Sequence, residues 1–209
     1  MSNMGKISVI GAGNVGASCA QRLAERGYAD VVLFDIIEGL PQGKALDILE
    51  SAPIIHFSNK ITGTDGYRET ADSNVVIITS GSPRKPGMSR DDLLMINMKI
   101  VGDVTRNVVS QSPNCAIIVA TNPVDAMVYL ALHESKFPRS KVFGLSGVLD
   151  SARLSAFIAA ELKVSVEDVN ACVLGEHGKN MVIIPRLSSV SGVPITEILP
   201  PETIAKLVE

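Results

Sequence analysis

The chain has 209 residues, enough for one large domain or for one domain and part of a second. It is 46% hydrophobic and 20% charged, the make-up of a soluble globular protein with a packed core. Its formal net charge of −3 gives no electrostatic reason to expect nucleic acid or an anionic membrane as a partner. No apolar run approaches the length of a bilayer span, and Met1 to Lys6 carries no signal-peptide core. Cys19, Cys115 and Cys172 are odd in number and far apart, which argues against a disulfide framework or a structural zinc site. A cytoplasmic protein with reduced thiols and no metal is the expectation.

In chain order, Lys6–Ile10, Val31–Phe34, Val75–Thr79, Ala116–Val119 and Val142–Gly144 are β-branched, continuous apolar runs bounded by turn-forming residues, as buried strands are. Helical patterns lie between them at Val15–Arg26, Leu40–Glu50, Asp91–Ser110 and Pro123–His133. The third of these places Leu93, Ile96, Ile100, Val104 and Val108 on one face, with Asp91 and Asp92 at its positive end. Alternating elements of this size predict an α/β, doubly wound parallel sheet over residues 1–146, with helices on both faces.

The pattern changes near Gly147. A helix over Asp150–Leu162 is followed by a strand over Val169–Leu174, a glycine-bounded loop and another strand from Met181. Pro200–Glu209 looks like a helix just beginning, with no C-cap. Residues 147–209 are therefore expected to be an incomplete second α/β domain.

The first strand runs into Gly11-Ala12-Gly13-Asn14-Val15-Gly16, a Gly-x-Gly-x-x-Gly where a strand ends and a helix opens. Gly11 permits the turn, Gly13 lets backbone approach a pyrophosphate, and Gly16 lets the helix pack on the sheet. Such glycines alone are a weak signal. Asp35, however, closes the second strand nineteen residues after Gly16, where a carboxylate accepts hydrogen bonds from a ribose diol and repels a 2′-phosphate. A dinucleotide site preferring NAD over NADP is expected. No Gly-Lys-Ser/Thr follows, so the loop is not a P-loop.

Three further clusters bear on chemistry. Ser80–Arg90, rich in proline and glycine, carries Arg84, Lys85 and Arg90 at the carboxyl end of a predicted parallel strand, where ligands bind in such sheets. Arginine forks match carboxylates there, although a solvated basic loop has the same composition. Asp150 and Arg153, three apart, share a helix face; by spacing alone they could be no more than a surface ion pair. His177 stands in Gly175-Glu176-His177-Gly178, whereas His56 and His133 have no comparable setting. A proton-transferring histidine needs an orienting carboxylate, and Asp150 is the natural candidate.

Together with Pro41–Asp47, Thr121-Asn122-Pro123 and Gly147–Arg153, these segments resemble the lactate/malate dehydrogenase family, and within it the malate-type branch closer to the lactate enzymes. The matches run in family order along nearly the whole chain. The resemblance implies reversible hydride transfer between (S)-malate and NAD, giving oxaloacetate and NADH. It implies that His177 is the acid–base, Asp150 its orienting carboxylate, Arg153 the grip on the substrate's C1 carboxylate and Arg90 the mobile-loop arginine. Arg84 occupies the specificity position, where lactate enzymes carry a neutral glutamine. The resemblance further implies that Asn122 contacts substrate and nicotinamide ribose and that Asn97, Ala120 and Thr121 lie near the cofactor. A homodimer or homotetramer is implied as well. Two departures stand out: Lys179 follows His-Gly where the family has an acid, and family members continue for about a further third. A dehydrogenase for lactate or another 2-hydroxy acid, or an inactive NAD-binding fragment, remain as alternatives.

Overall fold

Burial of the central strands on both sides decides the layering of the N-terminal unit. The computed structural model describes residues 5–208, and the chain divides into one unit ending at Gly144 and another starting at Leu145. In β1 (Lys6–Ile10) Val9 enters one apolar core and Ile10 the other, and in β2 (Asp30–Phe34) Leu33 and Phe34 divide in the same way. Successive side chains of a strand point to opposite faces, so a sheet covered on both sides needs unbroken apolar runs.

The sheet has six strands, ordered β3-β2-β1-β4-β5-β6, and every pairing is parallel. β3 is Ile61–Thr64, β4 Val75–Ile78, β5 Ala116–Val119 and β6 Val142–Gly144. Helices α1 (Asn14–Glu25) and α2 (Leu40–Glu50) contribute to one core through Ala20, Ala24, Ala45 and Ile48; the single turn α3 (Ala52–Ile55) follows. Helices α4 (Arg90–Gln111) and α5 (Val124–Ser135) supply the other through Val101, Val108, Met127 and Ala131. Among these, the isoleucine, valine and methionine side chains each contribute about 1.5–3 kcal/mol when taken from water, and the alanines let the helices approach the sheet. The strand order reverses between β1 and β4, which makes the crevice at their carboxyl ends the place for a ligand.

Two readings are corrected here. β3 was not expected, because Ile61-Thr-Gly-Thr is a polar edge strand with one large apolar residue. The buried face of α4 is also rotated from the expected one: Ile96 is 40% exposed, while Asn97 and Thr105 are buried beside Val101, Val104 and Val108. Both polar groups enter the core because their bonds are made internally, Thr105 Oγ1 donating to the Val101 carbonyl.

In the second unit, α6 (Gly147–Leu162) packs Leu154 and Ile158 into a core with Val173, Ile195 and Leu199. The expected single strand over 169–174 is two short ones. β7 (Val169–Asn170) pairs antiparallel with β10 (Ser189–Val190), while β8 (Val173–Leu174) pairs antiparallel with β9 (Val182–Ile183). Between them Cys172 N–H donates to Ser188 Oγ, which carries the chain from one small sheet to the other. β11 (Val193–Pro194), α7 (Ile195–Ile198) and α8 (Pro201–Val208) follow. Among the described residues no helix is long and apolar enough to cross a membrane, and the three cysteines are free.

A Cβ at position 63 would stand 2.1 Å from the Pro41 carbonyl oxygen and 2.5 Å from Gln42 Cα, so α2 lies directly on the backbone of β3. Both neighbours are backbone and cannot turn aside. Gly63→Ala is expected to cost about 3 kcal/mol, read as a lowered urea midpoint; an unchanged midpoint would show that α2 lifts from the sheet at little cost.

Candidate active site

The glycine loop closes by backbone contact. Gly11 has φ +107°, and its N–H donates to the Phe34 carbonyl at 2.7 Å. A Cβ on Gly16 would lie 1.8 Å from the Gly11 carbonyl oxygen, so only glycine lets α1 begin this close to β1. Thr79 Oγ1 seals the other side by donating to the carbonyls of Ile10 and Gly11 at 3.1 Å. Gly13, in extended conformation, precedes α1 without a side-chain cap, and a Cβ there would meet nothing within 4 Å. The helix thus presents its N-terminal N–H groups and its positive end to an open space, which suits a diphosphate. Asn14 and the exposed Val15 form the first turn.

Asp35 is bound on both oxygens: Oδ2 accepts from Ala12 N–H at 2.7 Å and Oδ1 from Ile37 N–H at 3.1 Å. It therefore does brace the turn after β2, but each carboxylate oxygen has a second lone pair for a ribose hydroxyl. A cavity of about 340 Å³ is lined by Gly11, Gly13, Asp35, Ile36, Ser80 and Ile100, among others. Diphosphate donors, a diol acceptor and apolar walls in one crevice fit the adenosine half of a dinucleotide.

Asn97 serves this crevice from behind. It is 1% exposed, its Oδ1 accepts from Ser82 N–H at 2.7 Å, and its Nδ2 donates to the Asn122 carbonyl at 2.7 Å. Thr121 is buried too, with Oγ1 donating to the Ser80 carbonyl, and Ala120 N–H donates to the Ile78 carbonyl. These three hold the loops together; Asn122 itself is exposed and joined to Pro123 by a cis peptide. Neither Thr79 nor Lys44, whose ammonium donates to the Ala12 carbonyl, was singled out from the sequence. No local pattern marks them, because their partners are 68 and 32 residues away.

The arginine loop is exposed. Arg84 Nε donates to the Met88 carbonyl at 3.1 Å across a turn in which Gly87 has φ +82°. The loop ends in a capping box: Asp92 N–H donates to Ser89 Oγ, and Ser89 N–H donates to Asp92 Oδ2, both at 3.0 Å. Arg90 is the first residue of α4, so the box fixes the backbone that carries it.

In the second unit the structure joins the residues paired on paper. His177 Nδ1 is 2.7 Å from Asp150 Oδ2, and Arg153 Nη1 donates to Asp150 Oδ1 at 3.2 Å. The Asp150 side chain is only 6% exposed, against 58% for Arg153, so this is no ordinary surface ion pair. The start of α6 is stitched to β8: Val173 N–H donates to Ser151 Oγ, and a Cβ on Gly147 would lie 2.8 Å from the Val173 carbonyl oxygen. β8 leads into Gly175, at φ +92°, and two residues later into His177. A buried carboxylate bonded to Nδ1 fixes the orientation of the imidazole ring. Lys179 is exposed.

A doubly wound sheet with a glycine loop at its switch point and an acid closing the second strand defines a dinucleotide-binding α/β protein. The profile described as lactate/malate dehydrogenase, NAD binding domain, matches residues 5–144, and that of the family's alpha/beta C-terminal domain matches residues 147–206. The chain belongs to the lactate/malate dehydrogenase family, and its N-terminal unit is that family's NAD-binding domain. It is 56% identical over 205 residues to a malate dehydrogenase of Chloroherpeton thalassium, covering 98% of this chain and 66% of that relative. The malate dehydrogenase structure from Salinibacter ruber superposes with TM-score 0.92 at 48% identity, over 98% of this chain and 65% of that one. The lactate dehydrogenase of Cryptosporidium parvum, complexed with lactic acid and nicotinamide adenine dinucleotide, gives 0.93 at 41%, over 100% and 67%. The chain thus spans less than two thirds of the length of the first of these relatives.

The Asp92 carboxyl is held below its usual pKa by the Ser89 hydroxyl and then by the Ser89 backbone N–H. A lowered carboxylate pKa contributes stability above the unfolded value and loses it as pH falls through the folded one. Asp92→Ala should therefore destabilise the protein at neutral pH, with the difference from the unmodified chain shrinking in acid. Unfolding midpoints measured from pH 7 down to pH 3 test this, and a pH-independent difference would contradict it.

Proposed function

We propose that this chain carries the machinery of an NAD-dependent malate dehydrogenase, interconverting (S)-malate and NAD with oxaloacetate and NADH. The carrying observation is the 2.7 Å contact between Asp150 Oδ2 and His177 Nδ1, in a chain whose other unit is an NAD-binding domain. When bound, the nicotinamide supplies the two-electron acceptor. His177 Nε2 takes the proton of the substrate hydroxyl during oxidation and returns it during reduction, and Asp150 stabilises the imidazolium formed between. Arg153, tied to Asp150, grips the C1 carboxylate with its exposed guanidinium. Arg90 is assigned to polarising the carbonyl and Arg84 to the second carboxylate. Asn122 is assigned to substrate and nicotinamide ribose, with Gly11 to Gly16 and Asp35 holding the rest of the dinucleotide. Free thiols suit a reducing cytoplasm, and the family resemblance favours a homodimer or homotetramer.

Turnover of malate with NAD by this 209-residue chain is the direct test. NADH binding without turnover would reduce the chain to a dinucleotide-binding module. Arg84→Gln should lower kcat/KM for oxaloacetate on the order of a hundredfold and raise that for pyruvate, because the second carboxylate loses the arginine assigned to it. An unmoved substrate ratio would return the choice to lactate or another 2-hydroxy acid. Asp35→Ser should narrow the preference for NADH over NADPH by about tenfold, read from Kd values; equal binding of both cofactors by the unmodified chain would remove Asp35 from the ribose.

A further inference from the structure

Ala12 is gripped at both ends. Its N–H donates to Asp35 Oδ2 at 2.7 Å, and its carbonyl accepts from Lys44 Nζ at 2.6 Å. The residue is fully buried, and its partners come from the end of β2 and from α2. α2 is a firm support: it lies on the backbone of Gly63, and Gly43 N–H donates to the Gly39 carbonyl at its first turn.

A trans peptide points its carbonyl and the following N–H in opposite directions. The cis bond among the described residues is Asn122–Pro123, so the Ala12–Gly13 peptide is trans. Drawing the Ala12 oxygen toward Lys44 therefore turns the Gly13 N–H the other way. Gly13 is the loop residue at which an added Cβ would meet nothing, and it lines the 340 Å³ cavity. The ammonium is partly buried, so its bond to the carbonyl is less screened than a surface contact.

We propose that Lys44 is a positioning residue for the dinucleotide: it holds the Ala12–Gly13 peptide so that the Gly13 N–H faces the diphosphate. The inference rests on the NAD-binding reading of this crevice. A loop with glycine's freedom would otherwise spend cofactor-binding free energy on ordering itself, and the Asp35–Ala12–Lys44 bracket supplies that order in advance. Asp35 thus has two tasks, bracing the loop and meeting the ribose, and Lys44 shares only the first.

The test is the Kd of NADH, by fluorescence titration of the full chain, with adenosine as a competitor that lacks the diphosphate. Lys44→Met is expected to weaken NADH about tenfold, the worth of one well-placed hydrogen bond to a charged group, and to leave adenosine within about twofold. Lys44→Arg, which keeps a cationic donor, should recover most of the loss. The NADH ratio should persist in 0.5 M salt, because a short, partly buried contact is poorly screened. A thermal unfolding curve accompanies each variant, and Lys44→Ala repeats the measurement if the methionine variant is misfolded. Unchanged NADH binding, an equal loss for adenosine, or an effect abolished by salt would each overturn the proposal. If the unmodified chain binds adenosine and NADH equally, the diphosphate reading of the loop fails first and the inference falls with it.

Discussion

A carbon atom that is absent organises the N-terminal unit. With a Cβ at position 16 lying 1.8 Å from the Gly11 carbonyl oxygen, helix α1 could not start where it does, one turn beyond the end of β1. From that close approach follow the open backbone at Gly13, the aim of the helix N-terminus and the reach of Asp35 Oδ2 to the Ala12 N–H at 2.7 Å. The same device recurs where α2 rests on Gly63 and where α6 meets Val173 at Gly147. Each removes a side chain so that two backbones touch, and each holds a helix that carries a candidate site residue: Asn14 on α1 and Lys44 on α2 in one unit, Asp150 on α6 in the other.

The charged groups are divided by how firmly they are held. Asp150 is buried and bonded on both oxygens, so its orientation is fixed from both sides. Arg84 sits on an exposed proline- and glycine-rich loop, and Arg90 is the exposed first residue of α4. The Ser89–Asp92 box ends that loop at the residue where α4 begins. Burial of the aspartate is costly unless both oxygens are partnered, and here histidine and arginine partner them.

The cofactor loop shows how a glycine-rich segment stays usable. Glycine permits the turn, yet its freedom opposes a defined binding surface. Thr79, Asp35 and Lys44 each take a backbone group of Ile10, Gly11 or Ala12, while Asn97 ties Ser82 to Asn122 on the facing loop. The crevice is thus framed by side-chain-to-backbone bonds, which define geometry without filling the space.

Local pattern determined the parallel strands, the helices between them, the glycine turn and the acid that follows it, because each is written within a few residues as hydrophobic continuity, helical spacing or a fixed offset. The family resemblance carried the histidine, its aspartate and the arginines to their positions. Tertiary structure alone decided that Asp150 and His177, 27 residues apart, come within 2.7 Å. It also decided that α4 turns Asn97 and Thr105 inward instead of Ile96, and that residues 169–174 break into two strands of different sheets. β3 escaped the pattern because an edge strand needs little apolar surface. Lys44 and Thr79 escaped it because their partners are backbone atoms far along the chain. A hydrogen bond to a carbonyl leaves no mark on the identity of the residue that accepts it, and only the folded path of the chain shows where that carbonyl lies.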